Sequence, residues 1–525
     1  MMAAMDGIGR LSAAEQRVWK AFANGRPVDF GTGDAAKDDP VNGGGWGPSR
    51  QVRAEVIVAL LCGALSPEPG HAGRVWLKCA RITGMIDLQN AEMRHVLRLE
   101  GCHVISGADL TDASGRTIML VGFQVGSISL LGANIVGRIT FRGSRLAGVD
   151  GPALVADGLI VTGELACDGG FLADGGVRLP GASIGGRLTF RASQLVGHSG
   201  PALIANGLTI ARDMICDEEF HADGELRMPG ARIGGRVSFT GATLDGGSGR
   251  ALSADGLTVG GAMFCDEGFR VKGEILLQNA SIHHDLSFIA ATLTSTNGPA
   301  LVAIGLTVGG TMYCNAGFHT EGEVILRNAS IGVLADDGKD SWPPRQELAG
   351  LTYDDLRPYL SASERLNWLR RSTEYHGQPF EELAAYYRKL GHDEQARRVL
   401  LAQQRERTHR RSWQRRGWGW LQDALVGCEY APGRAIALLA IALATGWAFF
   451  HAYPPPPVNP AAHPSFNAAI YAVNLLIPAP GLGDESTWNP HGAGLVMAAG
   501  LRALGWLLAI TIIAAITRAL SGTKG

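Results

Sequence analysis

The sequence predicts a mainly β protein: a right-handed parallel β-solenoid of about ten coils, closed by helical caps and followed by a C-terminal α-helical membrane anchor with two spans. Three observations carry this. Blocks beginning at Gly151, Gly200, Gly249 and Gly298 align without gaps at a spacing of 49 residues. Glycine supplies 72 of the 525 residues, about twice the ordinary ~7%. Two long apolar runs stand near the C-terminus of a chain that is only 18% charged.

Composition excludes several classes. Glycine never recurs at every third position, so the chain is not collagen-like. A net charge of −2 beside abundant Leu, Ile and Val argues against bulk disorder, and offers no overall attraction for nucleic acid. None of the eight cysteines lies two residues from another, which removes zinc-ribbon and thioredoxin-type signatures. The N-terminus lacks the apolar core of a secretory signal.

Residues 1–71 read as a helical cap, with apolar-faced runs at 11–23 and 48–65 able to cover an open strand edge. The solenoid follows over 72–335. Within each 49-residue block the pattern recurs once more: Val161, Leu165 and Cys167 are echoed 23 residues later by Ile184, Leu188 and Phe190. The unit is therefore two coils, of 23 and 26 residues. Short alternating apolar runs broken by glycines suit strands and corners, and Gly-Gly inside a helix would cost about 1 kcal/mol per glycine. Degenerate earlier copies are ARITGMIDL at 80–88 and ANIVGRITF at 133–141.

Cys167, Cys216, Cys265 and Cys314 hold one position of the block. Stacked coils lie ~4.8 Å apart, which sets these thiols about 10 Å from each other with a Phe-bearing coil between. A disulfide needs Cα atoms within about 7 Å, and zinc needs sulfurs at about 2.3 Å. The cysteines and Phe190, Phe239 and Phe288 thus read as an inward core ladder. Asp168, Asp217, Asp266 and Asn315 follow the cysteines and read as a solvated face. Gly181–Gly185 matches the G-x-S-x-G elbow of hydrolases, but Ser183 is one variant of a repeat position that is Arg232 in the next copy. No catalytic, cofactor-binding or metal-ligating residue is assigned.

Residues 343–430 read as a helical region, with Pro343-Pro344 as a break, an αα-hairpin and a basic collar. The stretch 397–416 holds eight arginines and a single acid, Glu406. Arg405, Arg407, Arg410, Arg411, Arg415 and Arg416, with Trp413, Trp418 and Trp420, are expected at lipid headgroups. Within 431–525, Ala435–Tyr453 and Leu495–Thr517 are 19 and 23 residues long, enough to span ~30 Å of hydrocarbon. The intervening 452–492 has Asp484 and Glu485 and no Lys or Arg, so the positive-inside rule places both termini and the solenoid in the cytoplasm of a bacterial plasma membrane. Residues 466–477 are apolar but short, as in a re-entrant or interfacial helix. With Gly481, Gly483 and Asp484 after it, the segment loosely resembles the pore module of two-helix cation channels, although Pro478-Ala479-Pro480 replaces the threonine-rich filter.

LSAAEQRVWKAF, VRAEVIVALLCGA, GASIGGRLTF, GHDEQARRVLLAQQRERTHRR and NLLIPAPGLGDESTWNP together resemble the actinobacterial membrane proteins catalogued as "membrane-associated oxidoreductase". The coils are similar to those of pentapeptide-repeat proteins but exceed their twenty-residue turn. The resemblance implies a membrane oxidoreductase. The residues themselves favour a non-catalytic, membrane-anchored cytoplasmic scaffold, its partners being lipids and either another protein or copies of itself through the solenoid. A channel-like or stimulus-sensing protein is the third reading.

Overall fold

The structure, a computed structural model, describes residues 9–148, 151–198, 200–338, 341–409, 432–459, 465–477 and 487–506. Two compact units divide the chain, Met1–Tyr386 and Tyr387–Gly525.

The first unit is a parallel β-solenoid of about 12 turns. A central turn has four short strands on four faces, which in later turns merge into longer strands such as Thr243–Ser253. One coil shows the plan: Leu188–Thr189, Gln194–Val196, Leu203–Ile204 and Thr209–Ile210. Leu188, Leu195, Leu203 and Ile210 point inward and are buried. Each pairs in register with the coils on either side, as Leu188 does with Leu165 and Met214. Partners on successive coils are 23 and then 26 residues apart in this region, but 21 apart around Ile118. The long coil gains its residues between the second and third faces, where Gly200 N donates to the Gly197 carbonyl at 2.8 Å, while the short coil crosses that corner on Gly175-Gly176. Close stacking makes some glycines obligatory: a Cβ on Gly185 would lie 2.3 Å from the Thr162 carbonyl oxygen.

The core explains why the repeat is two coils. Where a coil puts Phe190 or Phe239 at the first-face corner, the next inward position is small, Ser193 or Ala242. The neighbouring coil has Cys216 or Cys265 at the corner and Phe220 or Phe269 after it. Large and small side chains thus exchange places at each level and volume is kept constant. Rings of adjacent coils meet obliquely: Phe190–Phe220 and Phe239–Phe269 are each 6.0 Å between centroids, an ordinary spacing for an aromatic pair.

The solenoid extends beyond both expected limits, which accounts for about 12 turns in place of ten. Val28–Asp29 and Gln51–Arg53 already pair with the coil at 77–83. The apolar run 48–65 contains a strand and a shorter helix, Ala54–Leu61. At the far end Gln346–Glu347 and Thr352–Arg357 complete one more turn, where the sequence suggests helix. These end coils lack the Gly-Gly signature, so periodicity alone does not reveal them. Ala13–Ala23 is a helix as expected, opened by a Ser12–Glu15 capping box. Its Glu15 carboxylate also accepts from Arg53 Nε at 2.7 Å, tying the cap to the first rung.

A buried ion pair closes the other end. Asp336 falls in the column below Cys314, where alternation would call for another phenylalanine. Its carboxylate meets Arg365 of the Ala362–Leu369 helix at 2.6 Å, with both side chains almost fully buried, and accepts from Trp342 Nε1 at 2.9 Å. Trp342, Trp368 and Tyr353 pack around this pair.

In the second unit, Asp393–His409, Pro432–Ala452 and Ala468–Leu476 are helices, and a further helical run covers 493–506. Ala442, Phe450, Tyr471, Leu475, Ala498 and Leu501 form its apolar centre. Contact is close enough that a Cβ on Gly505 would meet the Leu476 carbonyl oxygen at 2.1 Å. Among the described residues no helix is long and apolar enough to cross a membrane.

Removing one member of a buried ion pair costs about 3–5 kcal/mol, because a charge is left uncompensated. Arg365→Met is therefore expected to lower unfolding free energy by about that amount in urea titrations. Combining it with Asp336→Leu should restore at least half of the loss. A double variant no better than the single would contradict the pairing.

Candidate functional site

The repeated cysteines lie within the core. Cys167, Cys216, Cys265 and Cys314 are each at most 1% exposed and unpaired, and Phe190, Phe239 and Phe288 are fully buried between them. Burial disfavours the thiolate, so Cys167, Cys216, Cys265 and Cys314 are all pushed well above the ordinary thiol range, and Cys102 is pushed up to about 12. A thiol held protonated is a poor nucleophile and metal ligand. Among the described residues no group of three or more His, Cys, Asp or Glu side chains converges as a metal-binding set.

The most ordered array of functional groups lies outside the same first face. Two largely charged columns flank the outward strand residue, and as far as Arg236 and Asp217 their sign changes from coil to coil. One column runs Arg138, Glu164, Arg187, Asp213, Arg236, and the other Arg142, Asp168, Arg191, Asp217, Thr240, Asp266. Backbone hydrogen bonds fix the stacking: Gly143 N donates to the Asp168 carbonyl at 2.8 Å and Ala192 N to that of Asp217 at 3.0 Å. Arg191 Nε reaches Asp217 at 2.8 Å, Arg187 lies 4.0 Å from Glu164, and Thr240 Oγ1 donates to Asp266 at 2.7 Å. Alternation is what stacking at ~4.8 Å requires, since like charges in successive coils would repel.

The rows differ in height. The arginines at 138, 142, 187, 191 and 236 are exposed, while Glu164, Asp168, Asp213 and Asp217 are half-buried between them. Ala166, Thr189, Ile215 and Ser238 form the floor between the columns and are 4–9% exposed. The acids after the cysteines thus belong to a ladder whose basic members sequence alignment at 49 residues does not bring out. Reading 23 or 26 residues from each acid would have found Arg142 and Arg191. Ser183 is exposed on a fourth-face strand paired with Thr209, with no helix after it, so the elbow geometry of a hydrolase serine is absent there.

In the second unit, Arg405 and Arg407 lie on the Asp393–His409 helix and are exposed. Arg410, Arg411, Arg415, Arg416, Trp413, Trp418 and Trp420 fall outside the described residues, as do Gly481, Gly483 and Asp484. The short helix expected at 466–477 spans Ala468–Leu476, started by Asn467, whose Oδ1 accepts from Ala469 N and Ile470 N. An open apolar groove of about 680 Å³ runs between the Pro432–Ala452 helix and the 493–506 run, lined by Ile441, Thr445, Phe449, Val496, Met497 and Gly500 among others. The Thr445 hydroxyl is satisfied by the Ile441 carbonyl at 2.7 Å, which leaves the groove hydrocarbon in character.

The raised thiols give stability a pH dependence of definite sign. In the unfolded chain a cysteine ionises near 9.0, whereas the folded Cys216 thiol does not. Above that pH unfolding releases a proton, so this contribution is complete below about pH 9 and declines as pH rises. The loss of stability between about pH 9 and about pH 11, followed by urea titration, should be shallower in Cys216→Ala by about 1.4 kcal/mol per pH unit. Equal slopes in the two proteins would contradict this. Comparison with known protein families, with curated proteins and with solved structures finds no match to this chain.

Proposed function

We propose that the protein is a non-catalytic scaffold: a β-solenoid rod held at the bacterial plasma membrane by its C-terminal unit, with the rod on the cytoplasmic side. The observation that carries this reading is the surface of the second unit. Ile441 is 62% exposed, Ile470 56%, Val496 73% and Trp506 59%, on three different helical segments. Large apolar side chains exposed on several sides are stable in lipid and unfavourable in water. The two spans take their full length from the sequence, since the side chains of 432–438 and residues 507–525 lie outside the described residues. Arg405 and Arg407 suit an anionic headgroup layer, each basic residue contributing about 1 kcal/mol near such a surface. On the rod, charges alternate in sign along a regular ladder and thiols are buried, an arrangement suited to presenting a surface.

Expressed in bacteria, the full chain should remain in the membrane pellet after high-salt and alkaline carbonate washes. In spheroplasts, external protease should leave the solenoid intact and cut it only after lysis. Release into the supernatant by carbonate, or digestion of the solenoid in intact spheroplasts, would overturn the anchor or its orientation respectively.

A further inference from the structure

We propose that the first face of the solenoid is a self-association surface, on which two copies of the chain pack face to face with their rods antiparallel. The inference rests on the scaffold reading and names its partner as a second copy. It comes from two features of one face: the coil-by-coil alternation of charge, and the difference in height between exposed arginine rows and half-buried acidic rows.

A closed pair uses the same patch on both copies. If the rods ran parallel about a two-fold axis, each row would face its own kind, arginine on arginine. If they run antiparallel about an axis crossing the face midway between the Arg187 and Asp213 coils, arginine rows meet acidic rows, with only Asp168 opposite Thr240 and Arg138 opposite Ala262 left without a charged counterpart. Arg187 and Arg191 then face Asp213 and Asp217 of the second copy, and the reverse. One coil further out, Glu164 faces Arg236 of the second copy. Beyond these, Arg142 faces Asp266. Height matches as well as sign, because the projecting arginines of one copy enter the recessed acidic rows of the other. An axis placed on a coil rather than between two coils sets like on like, so the pattern selects the antiparallel orientation and an axis between coils. An axis between the Glu164 and Arg187 coils also pairs opposite signs, but in that register the two charge-reversed variants below would not recover the dimer on mixing.

Within one copy Arg191 already contacts Asp217 at 2.8 Å. For Arg187 and Arg191 the second copy adds an acid to the one each already meets within its own copy, Glu164 and Asp217 respectively. Exposed charge pairs contribute little affinity singly and act mainly on specificity and encounter rate. The expected complex is consequently weak, salt-sensitive and antiparallel.

The test uses the full chain in detergent, with mass measured by sedimentation across a concentration series. Wild type is expected to form a dimer whose dissociation constant rises about tenfold or more between about 0.05 M and about 1 M salt, as the screening length falls to about 3 Å. R187E/R191E makes both central rows acidic, and D213R/D217R makes both basic. Each alone should be monomeric, and an equimolar mixture should recover the dimer mass, which a misfolded variant could not do. A mixture that stays monomeric, variants that dimerise alone, or a salt-independent constant would overturn the proposal. A wild-type chain that is monomeric yet retained in carbonate-washed membranes would overturn this interface while leaving the anchored scaffold standing.

Discussion

Stacking of coil on coil at ~4.8 Å is the constraint on which the rest of the first unit depends. It gives each side chain two fixed neighbours, the residues one coil before and one coil after, with no freedom to choose others. An inward phenylalanine must therefore be accommodated by the next coil, and an outward charge is answered there or repelled. Phe190 beside Ser193, followed by Cys216 beside Phe220, is the inner solution. Arg191 above Asp217 is the outer one. Both alternate with the same two-coil period, and the sequence repeats every 49 residues because of it.

The alternation also explains why cysteine occupies a repeated position without doing cysteine chemistry. A small, soft, apolar side chain is needed below each corner phenylalanine, and free cysteine behaves as a small hydrophobe when buried. Where the column ends, Asp336 takes the next place and recruits Arg365 from outside the solenoid. A phenylalanine there would leave an apolar end to be covered. A carboxylate specifies one helix in one position, at the cost of dependence on its partner.

How legible this was varies along the chain for physical reasons. Between Gly151 and Asn315 the repeat is strict because each two-coil unit packs on a copy of itself, and the strands, corners and inward Cys and Phe positions can be read directly. At 28–53 and 346–357 the coils abut caps instead of copies of themselves. The packing that imposes the repeat is absent there, and the segments resemble ordinary irregular chain. The charged ladder was half visible: Asp168, Asp217 and Asp266 share a place in the 49-residue block, but their arginine partners sit on the other coil of the pair. The apolar character of the second unit was plain from hydropathy, whereas its exposed side chains, such as Val496, needed the packing of Phe450, Tyr471 and Leu501 to be known.

The two-coil exchange of volume is tested most directly by a double-mutant cycle on one coil, Cys216→Phe with Phe220→Ala, followed by chemical denaturation of the full chain. Cys216→Phe alone sets rings at 190, 216 and 239 in consecutive coils and should cost about 1–3 kcal/mol through overpacking. Phe220→Ala alone should cost about 3–5 kcal/mol through the cavity it leaves. Together they turn this coil toward the Phe190/Ser193 type, and the pair should be more stable than the sum of the single losses by about 1 kcal/mol or more. Strict additivity, or a neutral Cys216→Phe, would contradict volume exchange as the origin of the repeat.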